Sequence, residues 1–468
     1  MESDSSSSMA LPSAKWASFD PWNYGGMKER LEGIIAKLDA AVLVDHAQQI
    51  LEQTVTLSKP FSAGQYWICF ELVAEDKRLV IARVRLPRHP DTPLALSDED
   101  EQYAIGCEVA TMSHVRKHLP DVKIPTVYAY EPAGSHSASA LGAPYMLIEG
   151  FYGNTLQDVE FDMCNLPASA SPCFLSLSHP SLLKQFLTEH IITQWTRVQA
   201  EIATLSFSCI GSISSISKGD GEEPSLGKLA AAPLDGLDNA GPFSSTAAYF
   251  KAIADSAVKR EQHESSRRPP GDRLPWFALG AYVFHDIVHN TSVYLHMDGE
   301  RFPLNHMDLG TQNILVDSAF NFVAIIDWEF AQSAPWAVNH YPMPFSLLDS
   351  DAEIQAILAD PAHLAYENMS RQEAARTMYV KGFRAAETAL QEQGRTLAGG
   401  SFADVLDSPS SRIYACFTRL GRMASADQGL VQEMVRLAFD FDREKTKVYL
   451  HDLETKVFAE GTSIQKSS

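Results

Sequence analysis

The sequence predicts an α+β protein in two lobes: a small, mainly antiparallel β N-terminal lobe with one key helix, and a larger, mainly helical C-terminal lobe. Three observations point there. At 468 residues the chain is long for one hydrophobic core, so two separately centred bodies are expected. Strand-period runs crowd between residues 61 and 150, and helix-period runs dominate beyond them. Within the helical half, residues 302–330 form an apolar hairpin pattern with polar groups at fixed intervals. The expected boundaries are 1–60 for an N-terminal arm and packing helices, 61–150 for the small lobe and 151–468 for the large one.

Residues 1–25 open Ser-rich and then carry Trp16, Phe19, Trp22 and Tyr24, rings costly to leave in water, so part of this arm is expected to dock on the body. From 27 to 57, Leu31, Ile34, Ile35, Leu38 and Val42 recur at helical spacing. Residues 61–86 read as a meander with a charged turn at 74–78. On its return strand Ile81, Arg83 and Arg85 share one face, and Val80, Ala82, Val84 and Leu86 share the other. The turn at 62–66 holds a single glycine, Gly64. The run Ser97-Asp98-Glu99-Asp100-Glu101 supplies a cap and an acidic first turn for a helix with Ile105, Val109, Met112 and Leu119 on its buried stripe and Glu108 at the border. Strands are expected at 124–130 and 144–150, separated by a Gly/Ser-rich turn at 131–142.

In the large lobe, Leu183, Phe186, Leu187, Ile191, Trp195, Val198, Ile202 and Leu205 mark a long helix over 182–207. Residues 208–270 turn rich in Gly, Ser and Pro, ending in Arg267-Arg268-Pro269-Pro270, and are expected to be an irregular or mobile insert. Further helices are expected at 282–294, 369–393 and 428–458.

The hairpin carries the chemistry. Asn313-Ile314-Leu315-Val316 is β-prone, Asp317 to Asn321 supply turn residues, and a second β-prone run ends on Asp327. His306, Asp308, Asn313 and Asp327 fit phosphoryl transfer. One carboxylate receives the acceptor's proton, while an amide oxygen and a second carboxylate hold Mg²⁺ against phosphates. An Asp third in H-x-D, an Asn five residues on and an Asp closing the next strand follow the layout of protein-kinase catalytic and metal loops.

With HMDLGTQN at 306–313 and DWE at 327–329, the segment resembles the aminoglycoside phosphotransferase family of kinase-like enzymes, especially its fungal-type branch. The resemblance spans roughly residues 61–336 and implies a protein-kinase-like fold. It implies Asp308 as catalytic base, Asn313 and Asp327 as Mg²⁺ ligands, and His306 as a support for the loop. Arg83 stands best at the phosphate-holding position, with Arg85 second. Glu108, in the E-V-A-T match 108–111, is either the brace for that cation or a border charge. Gly64 lies where the family's reduced nucleotide-positioning loop would be, or is a turn residue only. Glu149, Gly150 and Phe151 fall by position on the interlobe link that reads adenine through its backbone. Glu329 is a supporting or substrate-facing carboxylate, or an exposed charge. ATP, with GTP as the alternative, and Mg²⁺ are the implied cofactors, and a small-molecule hydroxyl is the implied acceptor. A protein kinase is disfavoured because H-R-D, D-F-G and an A-P-E-like segment are missing. A non-catalytic nucleotide-binding module is the competing class.

Composition bounds the partners. The 38 Lys+Arg against 59 Asp+Glu give a formal charge of −21, which disfavours nucleic acid and anionic membranes and suits a cationic acceptor. Six cysteines show no metal-type spacing, no apolar run reaches the ~18 residues of a membrane span, and the opening MESDSSSS lacks a presequence pattern, so a cytoplasmic protein is expected. The sequence leaves the acceptor and the oligomeric state open.

Overall fold

A computed structural model describes residues 27–88, 96–159, 180–216, 223–265, 274–295, 301–342 and 351–465, and the expected docking of the 1–25 arm lies outside them. The chain enters through two short helices, α1 (Met27–Ile35) and α2 (Ala41–Leu51), which bury Met27, Leu31, Ile34, Leu43, Ala47 and Leu51. They cover one face of an antiparallel sheet built from β1 (Val55–Ala63), β2 (Trp67–Ala74) and β3 (Leu79–Arg85). Helix α3 (Asp98–His118) follows, then β4 (Val127–Glu131), helix α4 (His136–Leu141) and β5 (Tyr145–Glu149), with strand order β1-β2-β3-β5-β4. The sheet begins at Val55, inside the stretch assigned to packing helices. Pro60 sits at a register shift of this edge strand and masks the alternation there. The 131–142 stretch also holds more than a turn: Ser135 caps α4, and Gly142 ends it at φ 96°, a conformation natural to glycine.

Helix α3 forms where its charges demand. Ser97 and Asp100 make a capping box, acids fill the first turn and Arg116, Lys117 and His118 the last, each complementing the helix dipole. Ile105 in its first half packs with Trp67, Met146 and Ile148 of the sheet. Ala110, Met112 and Val115 in its second half join the core of the large lobe.

The large lobe opens with β6 (Asn154–Thr155) and α5 (Leu156–Val159). There follow α6 (Pro180–Ala203), β7 (Ser206–Phe207), β8 (Ser212–Ser215) and β9 (Ser225–Gly227). Next come α7 (Ala232–Asp235), α8 (Thr246–Ser265), α9 (Trp276–Asn290) and β10 (Phe302–Asn305). The hairpin strands are β11 (Ile314–Val316) and β12 (Phe322–Ile325), followed by β13 (Gln332–Ser333). Helices α10 (Asp351–Leu358), α11 (Tyr366–Glu392), α12 (Phe402–Val405), α13 (Pro409–Phe417), α14 (Ala424–Phe439) and α15 (Arg443–Gln465) complete the chain. Two small sheets, β13-β10-β7 and β12-β11-β6, carry the loop between His306 and Asp327.

Among the described residues two large apolar clusters fill this lobe. One joins Trp195 of α6 to Tyr379 and Phe383 of α11 and to Ile314, Ile325 and Trp328 of the hairpin. The other joins Phe250 of α8, Phe284 and Ile287 of α9 and Val431 and Met434 of α14. The second corrects the expected irregular insert at 208–270. Its described part holds β8, β9, α7 and the 20-residue α8, because Tyr249, Phe250, Ala254 and Ala257 make a buried stripe that the surrounding Gly, Ser and Pro content hides. The 428–458 stretch, expected to be helical, is helical in two pieces that meet at Asp440, which adopts φ 53°.

The expected two-lobed α+β arrangement is therefore present, with an antiparallel small lobe, a helical large lobe and α3 rooted in both.

Candidate active site

The hairpin brings its polar ends together by register. Ile314 pairs with Ile325 and Leu315 with Ala324, while Asp317 Oδ1 accepts the amides of Ala319 and Asn321 at 2.8 and 2.9 Å and closes the turn. At the open end the Ile326 amide donates to the Asn313 carbonyl at 3.0 Å, so Asn313 and Asp327 leave the hairpin side by side. Asn313, 4% exposed, donates its side-chain amide to Asp308 twice, to the carbonyl oxygen at 2.8 Å and to Oδ2 at 2.9 Å. Gln312 donates to Asp308 Oδ1 at 3.1 Å. Both carboxylate oxygens of Asp308 are thus oriented by amides. The amide oxygen of Asn313 is left as its donor atom toward a cation.

His306 Nε2 donates to the Ile326 carbonyl at 3.0 Å, and its ring meets Trp328 edge-on at 4.6 Å. Burial pushes this imidazole down to about 4 despite the nearby Asp327 charge, so it is neutral and leaves Nδ1 unprotonated. It ties the two ends of the site as a clamp and carries no charge. Met307 and Asp327 both hold φ 65°, a left-handed conformation that Asp tolerates better than Met. The loop is strained immediately before Asp308, at Met307, and at Asp327.

Strand β3 supplies the cation. Arg83, 8% exposed, reaches Glu108 Oε1 on α3 at 2.5 Å and Asp327 Oδ1 at 3.2 Å, with its guanidinium 4.7 Å above the Trp67 ring. Burial works against its charge, but Glu108 and Asp327 more than offset this and raise its proton affinity. Arg85, two residues on, turns to Glu101 Oε1 at 3.2 Å and lies over Tyr66. The geometry separates two residues that strand periodicity leaves equivalent: Arg83 alone of the pair touches the hairpin.

Carboxylates outnumber cations here. Burial raises the Glu108 carboxyl although Arg83 pulls it back, and its second oxygen is buried with no hydrogen-bond partner. Burial and then the Asp327 charge raise Asp308 against the donors Gln312 and Asn313. Burial, Asp327 and Glu108 push Glu329 up to about 8. Such a cluster favours a divalent cation, and an amide oxygen and a carboxylate oxygen are hard donors of the kind Mg²⁺ and Ca²⁺ take.

The interlobe link is narrower than expected. The Glu149 amide donates to the Thr126 carbonyl and the Gly150 amide to the Leu79 carbonyl, each at 2.8 Å, so neither is open to a base edge. The Glu149 carboxylate also turns back to Thr126, at 2.7 Å from its hydroxyl. Gly150 is required by packing, since a Cβ there would come within 2.5 Å of Leu79. Gly64 sits in the β1–β2 turn with its amide 2.9 Å from the Trp67 carbonyl, and a Cβ there would meet open space. Neither its turn nor its packing calls for glycine.

Three contributors escaped sequence reasoning. Gln312 has a signal in hindsight, four residues after Asp308 in a tight loop. Trp67, under Arg83, is a cross-strand neighbour visible only once register is known. Arg422 lies close enough for its charge to act on Asp308 from 114 residues away in sequence, and no local pattern announces it.

A scan of protein-family models finds no match, and neither does a search of curated proteins. Solved structures do resemble the chain at low identity. Macrolide 2'-phosphotransferase MphH from Brachybacterium faecium is 15% identical, with a TM-score of 0.39 over 86% of this chain and 99% of that one. The ADP-bound aminoglycoside phosphotransferase APH(2'')-Ib is 10% identical, with a TM-score of 0.39 over 86% and 99%. Amicoumacin kinase hAmiN, solved with AMP-PNP, Ca²⁺ and Ami, is 11% identical, with a TM-score of 0.37 over 92% and 96%.

Proposed function

We propose that this protein is a phosphotransferase of the aminoglycoside phosphotransferase type, passing the γ-phosphate of ATP, or of GTP as the alternative donor, to a hydroxyl of a small molecule. One observation carries the reading. A carboxylate oriented by two amides, Asp308, stands beside Asn313 and Asp327, and Asp327 is joined to a cation braced from the other lobe, Arg83 on Glu108. Phosphoryl transfer asks a protein mainly for positioning and charge stabilisation, and these groups supply both.

In this reading Asp308 accepts the acceptor's proton and aligns its oxygen. Its raised proton affinity brings it nearer the range useful to a general base. The Asn313 amide oxygen and Asp327 would hold Mg²⁺, which when bound neutralises charge on the phosphate oxygens. Arg83 offers phosphates a guanidinium fork fixed by Glu108 and Trp67. Backbone around Gly64 would cover the phosphates, and the adenine-facing amide falls to Phe151, since those of Glu149 and Gly150 are engaged within the sheet. The carboxylate excess and the net charge of −21 favour an acceptor bearing an amine. A cytoplasmic place of work fits the free cysteines Cys69, Cys107, Cys209 and Cys416, and among the described residues no helix is long and apolar enough to cross a membrane.

A single-turnover assay with γ-labelled ATP and Mg²⁺ over a panel of amino sugars, amino alcohols and polyols tests this. Label should move to an acceptor hydroxyl in the wild type and not in Asp308→Asn. Tight nucleotide binding with no transfer to any acceptor favours the nucleotide-binding module instead.

A further inference from the structure

Away from the hairpin, helices α8 and α9 present a second cluster of ligand-type side chains. His285 and His289 lie four residues apart on α9, on one face of the helix, with their rings 4.2 Å apart. Asp255 projects from α8, and its Oδ1 is met by His285 Nε2 at 3.2 Å and by His289 Nε2 at 2.7 Å. Two ring nitrogens and one carboxylate oxygen therefore converge, all within 4.8 Å of one another. The neighbouring Asp286 is engaged elsewhere, accepting from Tyr449 at 2.6 Å and Asn290 at 2.8 Å, and does not compete.

Zinc bound by nitrogen and oxygen at about 2.0–2.2 Å in a tetrahedron sets its ligands roughly 3.3–3.5 Å apart. The His285 edge already has nearly that length. The His289 edge has hydrogen-bond length and would open by roughly 0.6 Å to reach that spacing, a small rotation for the exposed carboxylate of Asp255. Two histidines four apart on a helix with a carboxylate from a facing element is a donor set suited to Zn²⁺, Co²⁺ or Ni²⁺ and poorly suited to Mg²⁺, which prefers all-oxygen octahedra.

We propose that Asp255, His285 and His289 form a second metal site, one that takes a zinc-class divalent cation and staples α8 to α9. Solvent completes the coordination, because all three side chains are partly exposed. The staple reaches the active site by packing. On the same helices Phe250 of α8 packs tilted against Tyr294, ring centroids 4.0 Å apart, and Tyr294 follows α9 on the way to β10 and His306. The Tyr249 hydroxyl of α8 accepts from Gln332, which pairs with Asn305 beside the catalytic loop.

The test uses the full chain, stripped of metal with EDTA and titrated with CoCl₂, followed by the visible absorption of the bound ion and by melting with and without ZnCl₂. One Co²⁺ should bind with a nitrogen and oxygen spectrum that Zn²⁺ displaces, and Zn²⁺ should raise Tm. In His289→Gln, and independently in Asp255→Asn, affinity should fall about tenfold or more, since even residues that only orient a ligand are worth 10–100-fold. The Zn²⁺ effect on Tm should vanish in both, while their metal-free melting stays cooperative. Asp327→Asn should retain the Co²⁺ spectrum. Absence of Co²⁺ binding, a spectrum surviving both substitutions, a spectrum lost in Asp327→Asn, or a sulfur charge-transfer band placing the ion on a thiol would each overturn the proposal.

Discussion

Two clusters in this molecule are made of the same groups, guanidinium and carboxylate, and come to opposite balances. In the large lobe Arg412 and Arg436 share Glu433 Oε1 at 2.7 and 2.6 Å, and both also reach Asp351, joining α10, α13 and α14. Two positive charges meet two negative ones. Burial works against the Asp351 carboxylate, yet Arg412 and Arg436 hold its carboxyl below the ordinary range. At the lobe boundary Arg83 faces Glu108 and Asp327, with Asp308 and Glu329 close by and the charges of Arg85 and Arg422 acting as weaker contributors, and the carboxyls of Glu108, Asp308 and Glu329 are all raised. A satisfied cluster fastens helices to one another. An unsatisfied one holds potential for a cation and a reaction, which is why perturbed carboxyls gather at working sites.

Substitutions can break that contrast, and the largest effect is expected at Asp308. Asp308→Asn should lower turnover about 10²–10⁴-fold, the usual worth of a positioned base, or roughly 3–5 kcal/mol of transition-state stabilisation. Nucleotide affinity should stay within a few-fold, and steady-state kinetics beside nucleotide titrations would show both. Asp327→Asn preserves a residue type that tolerates φ 65°, so the fold should persist. Mg²⁺ should then no longer tighten nucleotide binding, as calorimetric titration with and without Mg²⁺ would report.

The third contrast concerns stability. Glu433→Gln removes the negative charge that two guanidiniums share, leaving only one amide oxygen to accept from them, and should lower unfolding free energy by about 1.5–3 kcal/mol, the worth of hydrogen bonds to a charged group. Glu108→Gln removes a carboxylate that its surroundings already disfavour and should stay within about 1 kcal/mol of wild type. Urea denaturation of both variants compares the two clusters directly, and equal losses would erase the distinction. A further effect is a pH slope at His340, on the rim of the balanced cluster. Burial, then Arg419, pushes this imidazole down to about 4 from its ordinary 6.5. Between those values the unfolded chain binds the proton more readily, so the stability contributed by neutral His340 is lost as pH falls from 6.5 through 4. His340→Gln should flatten that part of the stability profile in urea melts taken across the window.

How much of this could be read beforehand depended on distance along the chain. Asp308, Asn313 and Asp327 were legible because a hairpin fixes their separation, whereas the register shift between Leu315 and Val316 was not, since alternation alone does not announce it. Helix α3 was legible from its charges and cap. Arg83 and Arg85 were equivalent in sequence because period two cannot rank residues on one face, and only Glu108 and Asp327, which come from other elements, rank them. Helix α8 was hidden for another reason: its buried stripe relies on small residues such as Ala254 and Ala257, which register as loop composition when averaged with flanking glycines and prolines. The hydrogen bonds that close the Glu149 and Gly150 amides lie in backbone groups, which no side chain advertises.

The double rooting of α3 bears on control. A helix that holds the Glu108 brace could serve as a switch by swinging away from Arg83. Here that swing would pull Met112 and Val115, 2% and 0% exposed, out of one core while Ile105 left another. Exposing such side chains costs about 1.5–3 kcal/mol each. A lever pinned at both ends transmits force but does not turn. This chain is built to keep the Glu108 brace fixed against Arg83 at that helix.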